Sequence, residues 1–154
     1  MSVGDDLKKL KRSLGSIKEP YIAAILLFGS RARGEGRERS DYDFLVLHRG
    51  LEMADPVMRR RAIYKVIREA VRDICEGLTV IDMRFEDFLS PEEVTPLLLN
   101  IYWDSVVLLD RTGELEEFLR KVRRNIVAGG LRRVRDGAHY SWVLPEPLKR
   151  VKIV

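Results

Sequence analysis

The chain has 154 residues, one cysteine (Cys75), 34% charged residues and a formal net charge of +4. One cysteine excludes an internal disulfide, no apolar run approaches the ~20 residues that span a bilayer, and the charged N-terminus lacks the apolar centre of a signal peptide. The expectation is one soluble, cytoplasmic domain over residues 1–154, with its core over about 20–110 and a basic C-terminal helix and tail over 114–154.

Leu7, Leu10, Leu14 and Ile17 recur at helical spacing, with Asp5 and Asp6 at the positive end and Pro20 as the stop. Tyr21 to Phe28 is short and uniformly apolar, which predicts a strand buried on both faces. Gly29-Ser30 ends it, and a polar loop from Arg31 to Arg39 leads to a second strand from Asp41 to His48. A long amphipathic helix follows from Pro56 to Cys75, closed by Gly77 as a C-terminal cap. Leu78 to Phe85 reads as a third strand. Ser90-Pro91 reads as a helix start, with Pro96 limiting or kinking that helix. Ser105 to Leu109 is a fourth strand, and a helix runs from Glu114 to Ala128. The remainder suggests a small hairpin around Asp136-Gly137, with Pro145 and Pro147 opposing helix. His139, Tyr140 and Trp142 lie in this basic segment, where packing against the body is favoured over stacking on bases. Residues 120–154 hold ten Lys or Arg against Asp136 and Glu146, which suits either an anionic partner or a solvated basic surface.

The chemistry concentrates between Ile25 and Leu47. Asp41 and Asp43 are two apart at a strand start, so both carboxylates share a face, roughly 6.5–7 Å apart at the backbone. Such a pair needs neutralising, either by a hard divalent cation, Mg²⁺ or Mn²⁺, or by Arg33, Arg37 or Arg39. Gly29 lets the chain turn and a ligand approach the N–H groups, and Ser30 adds a hydroxyl, the makings of a phosphate cradle. Together they describe a site for a metal-bound nucleoside triphosphate. Asp82 is the lone acidic residue of an otherwise apolar strand. It is placed either to complete a triad with Asp41 and Asp43 or to pair with Arg84 or Arg33. His48, His139 and Cys75 do not make a zinc site.

Gly29-Ser30-Arg31-Ala32-Arg33-Gly34 followed by Ser40-Asp41-Tyr42-Asp43-Phe44 resembles the signature of the DNA polymerase β-like nucleotidyltransferase superfamily, in particular the minimal nucleotidyltransferases of bacteria and archaea. The resemblance covers residues 20–90 well. It implies an α+β palm: a mixed sheet of about four to five strands flanked by helices, packed mostly on one side. It implies Asp41, Asp43 and Asp82 as catalytic, metal-binding residues, Asp82 also activating the acceptor hydroxyl. It places the triphosphate on Gly29 and Ser30, with Arg31, Arg33 and Ser40 in the phosphate-binding set. The implied reaction is Mg²⁺- or Mn²⁺-dependent transfer of a nucleoside monophosphate, with ATP the expected donor, to a hydroxyl of protein, RNA or a small molecule, releasing pyrophosphate. Tyr42 departs from the family's Leu, Ile or Val. The resemblance also supports two other readings: an antitoxin that pairs with a helical HEPN-domain protein, and a nucleotide- or RNA-binding module without turnover. A homodimer is compatible with either.

Overall fold

The computed structural model describes residues 3–146 and 150–154; Pro147 and Lys149 lie outside the described residues. In chain order the elements are α1 (Val3–Gly15), β1 (Ile22–Phe28), α2 (Gly29–Ala32), β2 (Tyr42–His48), α3 (Pro56–Val71), β3 (Leu78–Arg84), α4 (Phe85–Leu89), α5 (Pro96–Asp104), β4 (Val106–Asp110), α6 (Leu115–Ala128), β5 (Arg132–Asp136) and β6 (His139–Val143). Four strands form one mixed sheet in the order β3-β2-β1-β4, and β5 pairs with β6 in a separate two-stranded sheet. β1 runs antiparallel to β2 and β4, whereas β2 and β3 are parallel.

The continuous apolar run of β1, IAAILLF, is buried along its whole length, as a strand covered on both faces must be. Ile22, Ile25 and Leu27 face a layer built by Leu10 and Leu14 of α1 and Ile63, Ile67 and Val71 of α3. Ala24, Leu26 and Phe28 face Phe88, Tyr102, Leu119 and Val122 from α4, α5 and α6. The expectation of helices mostly on one side is therefore corrected: they cover both faces. Each fully buried Leu or Ile contributes about 1.5–3 kcal/mol, so the alternation on β1 ties both helical layers to one strand.

Local chemistry moves three expected boundaries. Pro96 opens α5 rather than limiting a helix begun at Ser90. Thr95 Oγ1 accepts the Leu98 N–H at 3.1 Å, and proline at the first turn has no amide hydrogen to leave unpaired. Phe85 leaves the third strand to begin α4, and α3 stops at Val71, with the Ile74 and Cys75 amides closing on the Val71 carbonyl. Gly77 is not a left-handed cap: its carbonyl accepts the Tyr42 N–H at 3.0 Å and aligns the entry to β2. The hairpin forms as expected, Asp136 opposite His139 across a two-residue turn in which Gly137 has φ 61°. Among the described residues no helix is long and apolar enough to cross a membrane.

Candidate active site

The C-terminal end of β1 and the N-terminal ends of β2 and β3 meet at one edge of the sheet. Phe28 pairs with Asp43 across β1 and β2, and Asp43 pairs with Thr79 across β2 and β3. Asp41 directly precedes β2. Both carboxylates lie against glycines. A Cβ built on Gly29 falls 2.1 Å from Asp43 Oδ2, and one on Gly77 falls 2.2 Å from Asp41 Oδ1. Gly29 also has φ +74°, a left-handed conformation that side chains resist. The turn after β1 thus has two reasons to be glycine, and the turn before β3 has one.

Burial raises the Asp43 carboxyl above the ordinary carboxylate range, and the neighbouring Asp41 charge adds to this; the Thr79 hydroxyl and the Arg33 charge act against it. Asp41 borders a groove of ≈ 790 Å³ shared with Arg31, Arg39, Ser40, Glu76 and Gly77. Two carboxylates with an unfavourable mutual charge, Asp41 bordering the groove and Asp43 beside Gly29, are the donor type that fits Mg²⁺ or Mn²⁺, which binds through one or two protein carboxylates and takes its other oxygens from phosphate and water. Among the described residues there is no group of three or more His, Cys, Asp or Glu arranged for a metal.

Asp82 does not join this pair. In the parallel ladder Asp43 sits beside Thr79 and Val46 beside Asp82. Asp82 therefore shares the face of Phe44 and Val46, while Asp43 shares that of Leu45 and Leu47. It also lies three residues further along, about 10 Å at strand rise. Its side chain is 2% exposed and is held by Arg59 Nε at 2.7 Å, with His48 Nε2 at 3.4 Å and Arg60 Nε at 3.9 Å. Burial pushes the His48 imidazole down, against the pull of Asp82. The ion-pair alternative for Asp82 is the one realised, but with Arg59 of α3 in place of Arg84 or Arg33. The β3 positions on Asp43's face are Thr79, Ile81 and Met83.

The expected phosphate-binding residues divide. Gly29 and Ser30 open α2 directly beside Asp43. Arg31 lies on the Asp41 groove rather than beside Asp43: its Nη2 donates to the carbonyls of Ser40 at 3.0 Å and Glu38 at 3.2 Å, and the guanidinium lies 4.4 Å from the Tyr42 ring centroid. Ser40 Oγ accepts the Arg37 N–H at 2.8 Å. These two residues shape the loop that delivers Asp41. Arg33 stays on the Asp43 side, where Nε meets Glu35 at 2.9 Å and Nη1 meets Asp104 at 3.3 Å. Tyr140 and Trp142 pack inward, and Trp142 Nε1 donates to Asn100 Oδ1 at 2.8 Å. Sequence reasoning missed Thr79 and the spacing role of Gly77, which meet the Asp pair, and Asp104, which meets Arg33, since none carries a local signature of these contacts.

A putative protein adenylyltransferase of Methanocaldococcus jannaschii is 29% identical over 120 residues, 76% of each chain. A toxin–antitoxin crystal structure with AMP-PNP superposes with TM-score 0.47 and 20% identity, covering 75% of this chain and 82% of that one. A putative nucleotidyltransferase from Sulfolobus solfataricus superposes with TM-score 0.44 and 21% identity, covering 71% and 84%. Residues 7–129 match the nucleotidyltransferase domain, a span that contains the Gly29-Ser30 turn, both aspartates and the whole four-stranded sheet, and the chain belongs to that family.

Proposed function

We propose that this nucleotidyltransferase transfers AMP from ATP to a hydroxyl of a protein, releasing pyrophosphate. The carrying observation is the pair Asp41 and Asp43, each lying where a Cβ on Gly77 or Gly29 would intrude, beside the Gly29-Ser30 turn. Asp41 and Asp43 would hold Mg²⁺ or Mn²⁺, Gly29 and Ser30 would take the triphosphate, and Arg33 would add positive charge from the Asp43 side. The bound metal would polarise the phosphoryl oxygens and offset the charge gathering on pyrophosphate. The residues of the chain position the donor so that the acceptor oxygen meets the α-phosphorus in line as the bond to the departing pyrophosphate breaks. The adenylyl group and the protein acceptor are proposed from the name of the Methanocaldococcus jannaschii relative.

With a protein hydroxyl as acceptor, as the name of that relative suggests, the acceptor is placed on a partner. A HEPN-type helical protein, the antitoxin reading of the sequence, is the class to test first. The test is label transfer from α-labelled ATP with Mg²⁺ or with Mn²⁺ to a co-expressed partner, to RNA and to lysate protein, with pyrophosphate release measured in parallel. Labelled protein with wild type and none with Asp43→Asn supports the proposal. Labelled RNA moves the acceptor to nucleic acid, and nucleotide binding without pyrophosphate release replaces the enzyme reading with a binding module.

A further inference from the structure

Residues 132–143 lie beyond the family-matched span 7–129, yet their hairpin is fastened to Arg33, Glu35 and Asp104, and Arg33 acts on Asp43. Cross-strand pairing puts Arg133 opposite Trp142 and Arg135 opposite Tyr140 on one face, and that face turns inward. The guanidinium groups of Arg33 and Arg133 lie 4.7 Å and 4.2 Å from the Tyr140 ring centroid. The Tyr140 hydroxyl donates to Glu35 Oε1 at 2.5 Å. Asp104 Oδ2 accepts from Arg133 Nη1 at 2.6 Å and from Arg33 Nη1 at 3.3 Å. The hairpin is thus docked largely by charge and stacking. Arg33 is the residue where that dock meets the site, because it caps α2 immediately after the Gly29-Ser30 turn and its charge acts on Asp43.

We infer that the β5–β6 hairpin positions the nucleotide site, Tyr140 and Asp104 holding Arg33 ready to meet a triphosphate. The inference rests on the phosphate-site reading above. A free arginine side chain carries considerable rotamer entropy, and ordering it before the ligand arrives removes that cost from binding. Two carboxylate contacts do not exhaust Arg33, since a guanidinium has five N–H donors. The cation–π contacts with Tyr140 fix its plane without consuming donors. Tyr140 and Asp104 are positioning residues, acting through Arg33.

The test is a double-mutant cycle on the full chain, reading affinity for a non-hydrolysable ATP analogue with Mg²⁺ by titration calorimetry, with thermal melting alongside. Tyr140→Ala is expected to weaken binding roughly five-fold, the scale of ordering one long side chain. In an Arg33→Ala background the same change is expected to cost nothing further. Tyr140→Phe, which keeps the ring, is expected to bind like wild type, and Asp104→Asn, which keeps the side-chain volume, to follow Tyr140→Ala. Equal losses in both backgrounds, or wild-type affinity in Tyr140→Ala, overturn the inference alone. A wild-type chain that binds no nucleotide overturns the phosphate-site reading and this inference with it.

Discussion

Asp82→Asn separates a catalytic third carboxylate from a structural one. In the fold, Asp82 is 2% exposed and accepts from Arg59 Nε at 2.7 Å, on the face of the sheet away from Asp43. Breaking a fully buried ion pair costs about 3–5 kcal/mol, because the remaining charge is stranded. Here Arg59 is 24% exposed and Arg60 is 65% exposed, so both can turn toward water. The loss then reduces to a charge-assisted hydrogen bond, and about 2 kcal/mol is expected. For a chain of this size that lowers the melting temperature by about 4–8 °C. Nucleotide transfer, measured well below the new melting temperature, is expected to stay within a few-fold of wild type. Calorimetric melting with a single-turnover transfer assay reads both quantities. Unchanged stability together with loss of transfer by two orders of magnitude would refute the structural placement and return Asp82 to the reaction.

Asp43→Asn is expected to abolish transfer while stabilising the fold at neutral pH by about 1 kcal/mol, in the range of other relieved functional sites. The sign follows from the raised folded-state pKa of Asp43: its favourable contribution is present below the unfolded value and is lost as pH rises through the folded one. Melting curves of the two proteins should therefore converge as pH falls to about 4 and below. Gly29→Ala places a Cβ 2.1 Å from Asp43 Oδ2 at φ +74°, so it is expected to lower stability by about 1–2 kcal/mol from backbone strain alone and to remove nucleotide binding, read by melting and calorimetry. Burial pushes the Cys75 thiol up to about 12, so a thiol reagent at neutral pH is expected to label it only at the rate of global unfolding. Rapid labelling of the folded chain would contradict that burial.

Much of the site is local in sequence. Gly29, Ser30, Asp41 and Asp43 belong to one strand–loop–strand unit, whose ends the β1–β2 ladder joins with Phe28 opposite Asp43. Apolar runs and turn residues therefore located both the unit and its chemistry. The loop arginines were legible as charges but not as contacts. Arg31 and Arg33 are two apart on the α2 turn, so at about 100° per residue they leave it on opposite sides, and what each meets depends on α1 and α3 lying on one side and α5 with the hairpin on the other. Residues as distant as Asp104 and Tyr140 reach Arg33 only once the chain has closed on itself.

The sequence alone determined that β1 is a strand buried along its length, that a glycine–serine turn precedes a carboxylate pair, and that the chain resembles a nucleotidyltransferase; that helices supply the cover on both faces came from the fold. Period-two alternation and turn stereochemistry act within a few residues, so they can be read without the fold. Tertiary structure alone decided the fate of Asp82. Its side within β3 follows from alternation, but its side relative to Asp43 follows from register, since a slip of one residue would exchange the two faces. The register observed sets Asp43 beside Thr79 and Val46 beside Asp82, which hands the third acidic residue to Arg59 and leaves Asp41 and Asp43 as a pair.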